Sequence, residues 1–176
     1  MTRKSSGLFL LVLLPLSLAQ TPSLMPRIEG QTLAGSQVVL PEAATGKVAV
    51  LVLGFTRASK TPTSKWAKQI RVDFGNQHRL ELYQIPVLQD VLHVLRGMVI
   101  SGIRKGVPEN QRDHFLIVVQ SESELKKFVG YKEPDDAYLV ILSQDGKVAQ
   151  QMHGLPEPEA YSRLKEKLAS LLTVRG

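Results

Sequence analysis

Hydroxyl and cationic side chains cluster between residues 56 and 65, after an apolar segment and before a segment with helical periodicity. Free amides and the dipole at a helix N-terminus attract anions, and open α/β sheets bind ligands where a strand leads into a helix. The pattern therefore predicts a site for a small anion or a partner's carboxylate. Its candidate residues are Thr56, Arg57, Ser59, Lys60, Thr61 and Ser64, with Lys65 adding charge. The alternative is that Thr61 or Ser64 caps the helix and the cations are solvated.

The rest of the sequence offers few groups for catalysis. It has no cysteine, which excludes disulfides, thiolate nucleophiles and Cys-ligated metals. Its four histidines (His78, His93, His114 and His153) are not spaced as metal ligands, so we expect no metal and no cofactor. The pair 135–136 is interpreted as a turn before a strand. Because no base lies near residues 56–64 in sequence, a non-thiol enzyme is only an alternative; a carboxylate or imidazole within reach of Thr56 or Ser59 would favour it.

The first nineteen residues predict a signal peptide. Two cations precede an apolar run over residues 8–18, which is too short to span a bilayer, and small residues follow. We expect export to the periplasm or medium with cleavage near Ala19-Gln20; a retained anchor is the alternative. Cleavage would lower the formal charge from +6 to +4. That value is ordinary for a soluble domain and gives no reason to expect nucleic acid as a partner.

The remaining chain alternates apolar strand patterns with helical ones. We predict a flexible arm over residues 20–36 and one domain over 37–176. The predicted strands are 38–40, 47–55, 80–87, 115–119, 137–142 and 147–153, and the predicted helices are 62–77, 88–104, 121–129 and 156–172. An Asp-Gly pair in 143–146 predicts a hairpin, and Ser121 with Glu124 predicts a capping box. This order predicts an α/β fold, a mixed β-sheet with helices on both faces.

The segment 88–104 is more apolar than one buried helix stripe requires. Cations lie on it or just beyond it, at Arg96, Arg104, Lys105 and Arg112. Two interpretations remain open. The helix packs in the core or in a dimer interface, or it presents an apolar surface with a basic rim to a partner or a membrane.

The element order resembles the thioredoxin superfamily over about residues 30–172. Residues 46–55 resemble the first core strand of peroxiredoxin-, TlpA- and Sco-type proteins, Gly54-Phe55-Thr56 resembles the start of the Sco active-site loop, and 138–148 resembles the closing hairpin. The resemblance places the two cysteine positions on Ala58 and Pro62, and the family's cis-proline near Ala137, with Pro134 just upstream. It therefore implies a redox-inactive member.

A second resemblance is to the assembly factor family of the mitochondrial ATP synthase membrane sector. It is carried by Ser64-Lys65-Trp66, by Tyr83-Gln84-Ile85-Pro86-Val87 and by Gly102-Ile103-Arg104. This resemblance implies binding or chaperone work rather than catalysis. We therefore expect an exported, redox-inactive thioredoxin-like domain that binds another protein, with a membrane-proximal assembly partner as one form of this. The alternative is a non-thiol enzyme or small-anion-binding protein using the Thr56–Ser64 loop.

Overall fold

A computed structural model describes residues 25–173, and within them the chain forms seven strands and four α-helices. In chain order they are β1 (Ile28–Thr32), β2 (Gln37–Leu40), β3 (Val48–Gly54), α1 (Lys60–Phe74), β4 (Leu80–Pro86), α2 (His93–Gly106), β5 (Leu116–Ile117), α3 (Glu122–Phe128), β6 (Ala137–Leu142), β7 (Val148–Gly154) and α4 (Pro158–Thr173). The predicted signal peptide lies outside the described residues. Among those described, no helix combines the length and apolar character needed to cross a bilayer.

Strand β3 is central because apolar residues occupy both of its faces, and all seven of its residues are buried. It pairs parallel with β4 and antiparallel with β6, and β7 completes this sheet in the order β4-β3-β6-β7. A second sheet has the order β2-β1-β5. Parallel bridges from Gln84 to Phe115 and from Val87 to Val118 join the two at β4 and β5. The mixed sheet is as predicted.

Two apolar layers cover this sheet because side chains alternate along each strand. Val48, Val50 and Val52 face one layer, where Trp66 of α1 and Leu168 of α4 pack. The intervening residues of β3 face the other layer, where Leu125 of α3 packs. Burying each large apolar side chain contributes about 1.5–3 kcal/mol. Helices therefore lie on both faces of the sheet, and the predicted fold class is confirmed.

Two local predictions were wrong in part. Residues 28–32, within the predicted flexible arm, form β1, the middle strand of its sheet. Ser121 occupies the N-cap position of α3 but makes no capping hydrogen bond through its side chain. The Gln89 side chain accepts from the Glu122 amide instead, at 2.7 Å. The predicted capping box therefore does not form, because Ser121 has a left-handed backbone conformation (φ 60°) in place of the extended one from which an N-cap hydroxyl reaches the N3 amide.

Candidate functional site

One edge of the sheet gathers the polar groups that sequence analysis considered separately. The parallel strands β3 and β4 both end there, and β6, which runs antiparallel to β3, begins there. β7 runs antiparallel to β6 and ends at the same edge. We call this edge the loop edge; it comprises residues 55–59, 87–92, 118–121, 131–136 and 153–155. The predicted Thr56–Ser64 loop leaves the sheet here.

The loop after β3 is held by reciprocal hydrogen bonds between two hydroxyl residues. The Ser59 amide donates to Thr56 Oγ1 at 3.2 Å, and the Thr56 amide donates to Ser59 Oγ at 3.3 Å. Ser59 Oγ in turn donates to the Thr56 carbonyl at 2.7 Å. This pattern is that of a capping box, with serine in place of the usual glutamate or glutamine. Both hydroxyls therefore help to fix the loop conformation.

Gly54 allows the loop to fold this closely over the end of β3. A Cβ atom at this position would lie 2.5 Å from Ser59 Oγ and 3.2 Å from Thr63 Cγ2. The first distance is below any normal non-bonded contact, so a side chain here would displace the loop or the start of α1. The absence of a side chain at Gly54 is thus part of the site's geometry.

The six candidate residues differ in accessibility. Ser59 is buried, whereas the other five are exposed at the loop or on the first turns of α1: Thr56, Arg57, Lys60, Thr61 and Ser64. Because α1 begins at Lys60, Thr61 and Ser64 lie inside the helix and neither caps it, so the capping part of that alternative was wrong. The cations Arg57 and Lys60 make no ion pair with any part of the chain that the structure describes.

A carboxylate that sequence analysis assigned to a turn contacts the loop. Thr56 Oγ1 donates to Asp135 Oδ1 at 3.1 Å, across 79 positions of sequence. The neighbouring Asp136 lies 2.7 Å from Nδ1 of His153. Register explains this second contact, because Tyr138, two positions after Asp136, pairs with His153 across β6 and β7. The residue types were visible in the sequence, but only the sheet pairing brings them to one edge.

The positions where the resemblance places thiols contain none. Ala58 is exposed in the loop, whereas Pro62 is buried in the first turn of α1. Among residues 25–173 the cis peptide bond is Leu40–Pro41, so the Asp136–Ala137 and Glu133–Pro134 bonds are trans. With no cysteine anywhere in the sequence, the loop has no group for thiol–disulfide exchange.

Aromatic rings form a wall behind the loop. Phe55 packs edge-on against Tyr131 and Tyr138, with ring centroids 5.2 and 5.6 Å away. The ammonium of Lys126 lies 4.9 Å from the Tyr131 ring centroid and 2.6 Å from a carboxylate oxygen of the buried Glu122. The hydrogen bond from Lys126 to Glu122 raises the pKa of Lys126. The wall is therefore a packed, charge-balanced support for the loop.

A separate cavity of about 160 Å³ lies between α1 and β4, lined in part by Arg71, Glu81 and His114. Glu81 accepts hydrogen bonds from Lys47 and His114. Burial alone would raise the pKa of Glu81, but the hydrogen bonds and charges of Lys47 and His114 outweigh it and lower that pKa. No three histidine, aspartate or glutamate side chains within the described part of the chain are grouped to hold a metal ion.

Comparison with known proteins finds similarity in structure only. No protein-family model and no curated protein sequence matches the chain. Among solved structures, the exposed lipoprotein thioredoxin Etrx1 of Streptococcus pneumoniae strain TIGR4 is 14% identical, with a TM-score of 0.58, covering 81% of this chain and 100% of its own. BsSco, a member of the Sco family of cytochrome c oxidase assembly proteins, is 16% identical, with a TM-score of 0.59 and coverage of 88% and 96%.

A third similar structure is StoA from Bacillus subtilis, with 17% identity, a TM-score of 0.52 and coverage of 81% of this chain and 96% of its own. All three matches extend over more than four fifths of this chain. The protein therefore has the thioredoxin-like fold that the sequence predicted, without the cysteines on which thiol–disulfide chemistry depends.

Proposed function

We propose that this protein is an exported thioredoxin-like protein that acts by binding another protein at the loop edge, in the assembly or folding of that partner. The observation that supports it most is the combination at this edge of a thiol-free loop with exposed groups suited to binding. Leu92, Val119 and Leu155 are large apolar side chains exposed there, and the unpaired cations Arg57 and Lys60 lie on the loop and at the first residue of α1. Apolar contacts bordered by charges are typical of protein interfaces.

The fixed shape of the loop also favours binding. Its two hydroxyls hydrogen-bond within the loop, and the aromatic wall supports it from behind. A surface that is already ordered loses less conformational entropy when a partner binds. Assembly of a membrane-proximal partner is the form of this function that the second sequence resemblance implies.

Site-specific photocrosslinking at the loop edge tests the proposal. A photoreactive amino acid replaces Ala58, which is exposed in the loop, and in a matched variant it replaces Ala169, which is exposed on α4. We expect position 58 to give a discrete crosslinked product with a partner in the protein's own host, and position 169 to give none. Identical products from both positions, or no product from position 58, would contradict the proposal.

Charge reversal then asks whether the loop cations contribute. Arg57→Glu with Lys60→Glu should abolish the product from position 58, because the loop loses two positive charges and gains two negative ones. Arg163→Glu with Lys127→Glu is the matched control, since both cations are exposed elsewhere and neither makes an ion pair with residues 25–173. Equal loss in the two double variants would exclude a specific role for the loop.

A non-thiol active site is the second candidate, and one contact favours it. Asp135 accepts the hydrogen bond of the Thr56 hydroxyl, and a carboxylate in that position could act as a general base. The same carboxylate would repel a small anion at Thr56, so this geometry favours a neutral or cationic substrate. Thr56→Val and Asp135→Asn should both abolish any turnover found for the protein. Equal partner binding by these variants would then separate the enzyme candidate from the binding function.

A further inference from the structure

Helix α2 leaves one apolar face uncovered. None of its fourteen residues is buried, and Val94, Leu95 and Met98 on its first turns are 84%, 41% and 72% exposed. Leu92, immediately before the helix, is 69% exposed. Residues 94, 95 and 98 are neighbours on the helix surface, so the exposed side chains form one patch. We call Leu92, Val94, Leu95 and Met98 the α2 patch.

The α2 patch is not needed to hold the helix on the domain. Other residues of α2, Val99, Ile100 and Ile103, pack against a separate small core of Leu33, Leu88 and Ile117. One face of the helix therefore packs against the domain, and the opposite face is exposed. A contiguous patch of exposed apolar side chains is typical of a site that binds a protein or a membrane.

The charged side chains on α2 itself are all positive. The carboxylates that flank the helix, Asp90 and Glu109, are each paired with a cation, Asp90 with Lys126 at 3.6 Å and Glu109 with Arg112 at 3.8 Å. No aspartate or glutamate occurs between residues 91 and 108, whereas Arg96, Arg104 and Lys105 lie on the helix. Arg104 and Lys105 are exposed and form no ion pair with any described residue. Arg96 donates to the carbonyls of Val91 and Gln89 at 2.9 and 2.8 Å, which leaves its charge uncompensated by a carboxylate. The surface is thus complementary to a negative charge density.

We propose that α2 docks on an anionic lipid surface, with the α2 patch at the boundary between headgroups and acyl chains and the cations on lipid phosphates. Apolar insertion combined with cations is the usual way in which an interfacial helix binds anionic membranes. Because α2 starts at the loop edge, docking would place the loop edge near the membrane.

Vesicle co-sedimentation tests the docking directly. The protein is expressed from its complete sequence, mass spectrometry establishes the N-terminus of the purified chain, and every variant carries the same N-terminus. The probes are vesicles of phosphatidylcholine alone and of phosphatidylcholine with about one third phosphatidylglycerol. We expect binding to the anionic vesicles that weakens as salt increases, and at least tenfold weaker binding to the neutral ones. Equal binding to both, or none to anionic vesicles, overturns the proposal.

Two variants locate the surface and a third controls for added charge. Val94→Asp with Met98→Asp should reduce binding to the anionic vesicles at least tenfold. Arg104→Glu with Lys105→Glu should reduce it about 25-fold or more, from roughly fivefold per cation. Val72→Asp should change it less than twofold, since Val72 is 76% exposed on α1, outside the patch. An equal loss in the Val72 variant overturns the proposal.

Light scattering on the same samples tests whether a second copy of the protein, in place of lipid, covers the α2 patch. If the wild type is a dimer in the absence of lipid, and the Val94 and Met98 substitutions make it a monomer, α2 is a protein interface and the proposal is overturned. Crosslinking from position 58 is measured separately, so loss of lipid binding with retained crosslinking overturns the docking without affecting the proposed partner binding. All substituted side chains are exposed, and unchanged thermal unfolding confirms that each variant is folded.

Discussion

Replacing Gly54 with alanine tests how the loop after β3 is held. The new Cβ would lie 2.5 Å from Ser59 Oγ, so the loop must move or Ser59 must leave its hydrogen bonds. Overpacking of this kind costs about 1–3 kcal/mol, offset by roughly 0.5–1 kcal/mol because alanine is less flexible than glycine in the unfolded chain. We expect Gly54→Ala to reduce the free energy of unfolding by about 1–2 kcal/mol.

A second substitution makes this expectation specific. Ser59→Ala removes the hydroxyl that the new methyl group would meet, and by itself loses two hydrogen bonds worth about 0.5–1.5 kcal/mol each. In the double variant the nearest remaining atoms, Thr63 Cγ2 and Ser59 Cβ, lie 3.2 and 3.5 Å from the Cβ position. The double variant should therefore be more stable, by about 1 kcal/mol, than the sum of the two single effects predicts.

Urea unfolding monitored by tryptophan fluorescence measures all three variants. Trp66 is the only tryptophan in the sequence and is buried on α1. Gly97→Ala is the matched control, because a Cβ there meets nothing within 4 Å and alanine favours a helix. Additive effects of the Gly54 and Ser59 substitutions within about 0.5 kcal/mol would refute the proposed contact. So would a Gly54→Ala variant as stable as the Gly97 control.

The remaining predictions concern the chemistry and two side-chain contacts. Insulin reduction should be absent, and thiol turnover would contradict the redox-inactive assignment. Glu81→Gln should cost about 1 kcal/mol at pH 7. This cost should vanish as the pH falls through the lowered pKa of Glu81, because the carboxyl is then protonated in the wild type as well. Trp66→Phe should reduce the free energy of unfolding by about 1–3 kcal/mol, because the Gly154 carbonyl loses the indole donor at 2.8 Å. Since this variant has no tryptophan, its urea unfolding is followed by far-ultraviolet circular dichroism beside the wild type, and an unchanged midpoint would contradict this.

The central strand and the closing hairpin could be predicted because their signals are local. β3 is a continuous apolar run, and Gly146 takes a φ of +75° in the predicted Asp-Gly turn. β1 could not be predicted, because its segment is mostly polar and carries no local strand signal. It forms a strand by pairing with β2 and β5. Gly30 lies within the predicted flexible arm, yet a Cβ there would lie 2.5 Å from the Ile117 carbonyl oxygen. The glycine permits close strand pairing instead.

The candidate site was predictable in its residues but not in its contacts. The loop residues 56–64 are contiguous, so their position after a strand follows from the sequence. The contact between Thr56 and Asp135 depends on β6 lying beside β3, which is a property of the whole sheet. The exposure of α2 was one of two interpretations, because hydrophobic content alone does not say which apolar residues meet the core. The structure divides them, with Val99, Ile100 and Ile103 inward and the α2 patch outward.

The loop after β3 is ordered although it lacks the two cysteines that the thioredoxin resemblance would place at Ala58 and Pro62. Thr56 and Ser59 bond to each other, Gly54 gives them room, and the aromatic wall supports them. None of these contacts involves the thiol positions, so the loop conformation does not depend on a reactive group. The exposed side chains at the loop and the start of α1 are those of Thr56, Arg57, Ala58 and Lys60, none of which can exchange disulfides. Ordered backbone with unpaired charge is what a partner-binding surface requires, and this is the physical basis for proposing binding rather than catalysis.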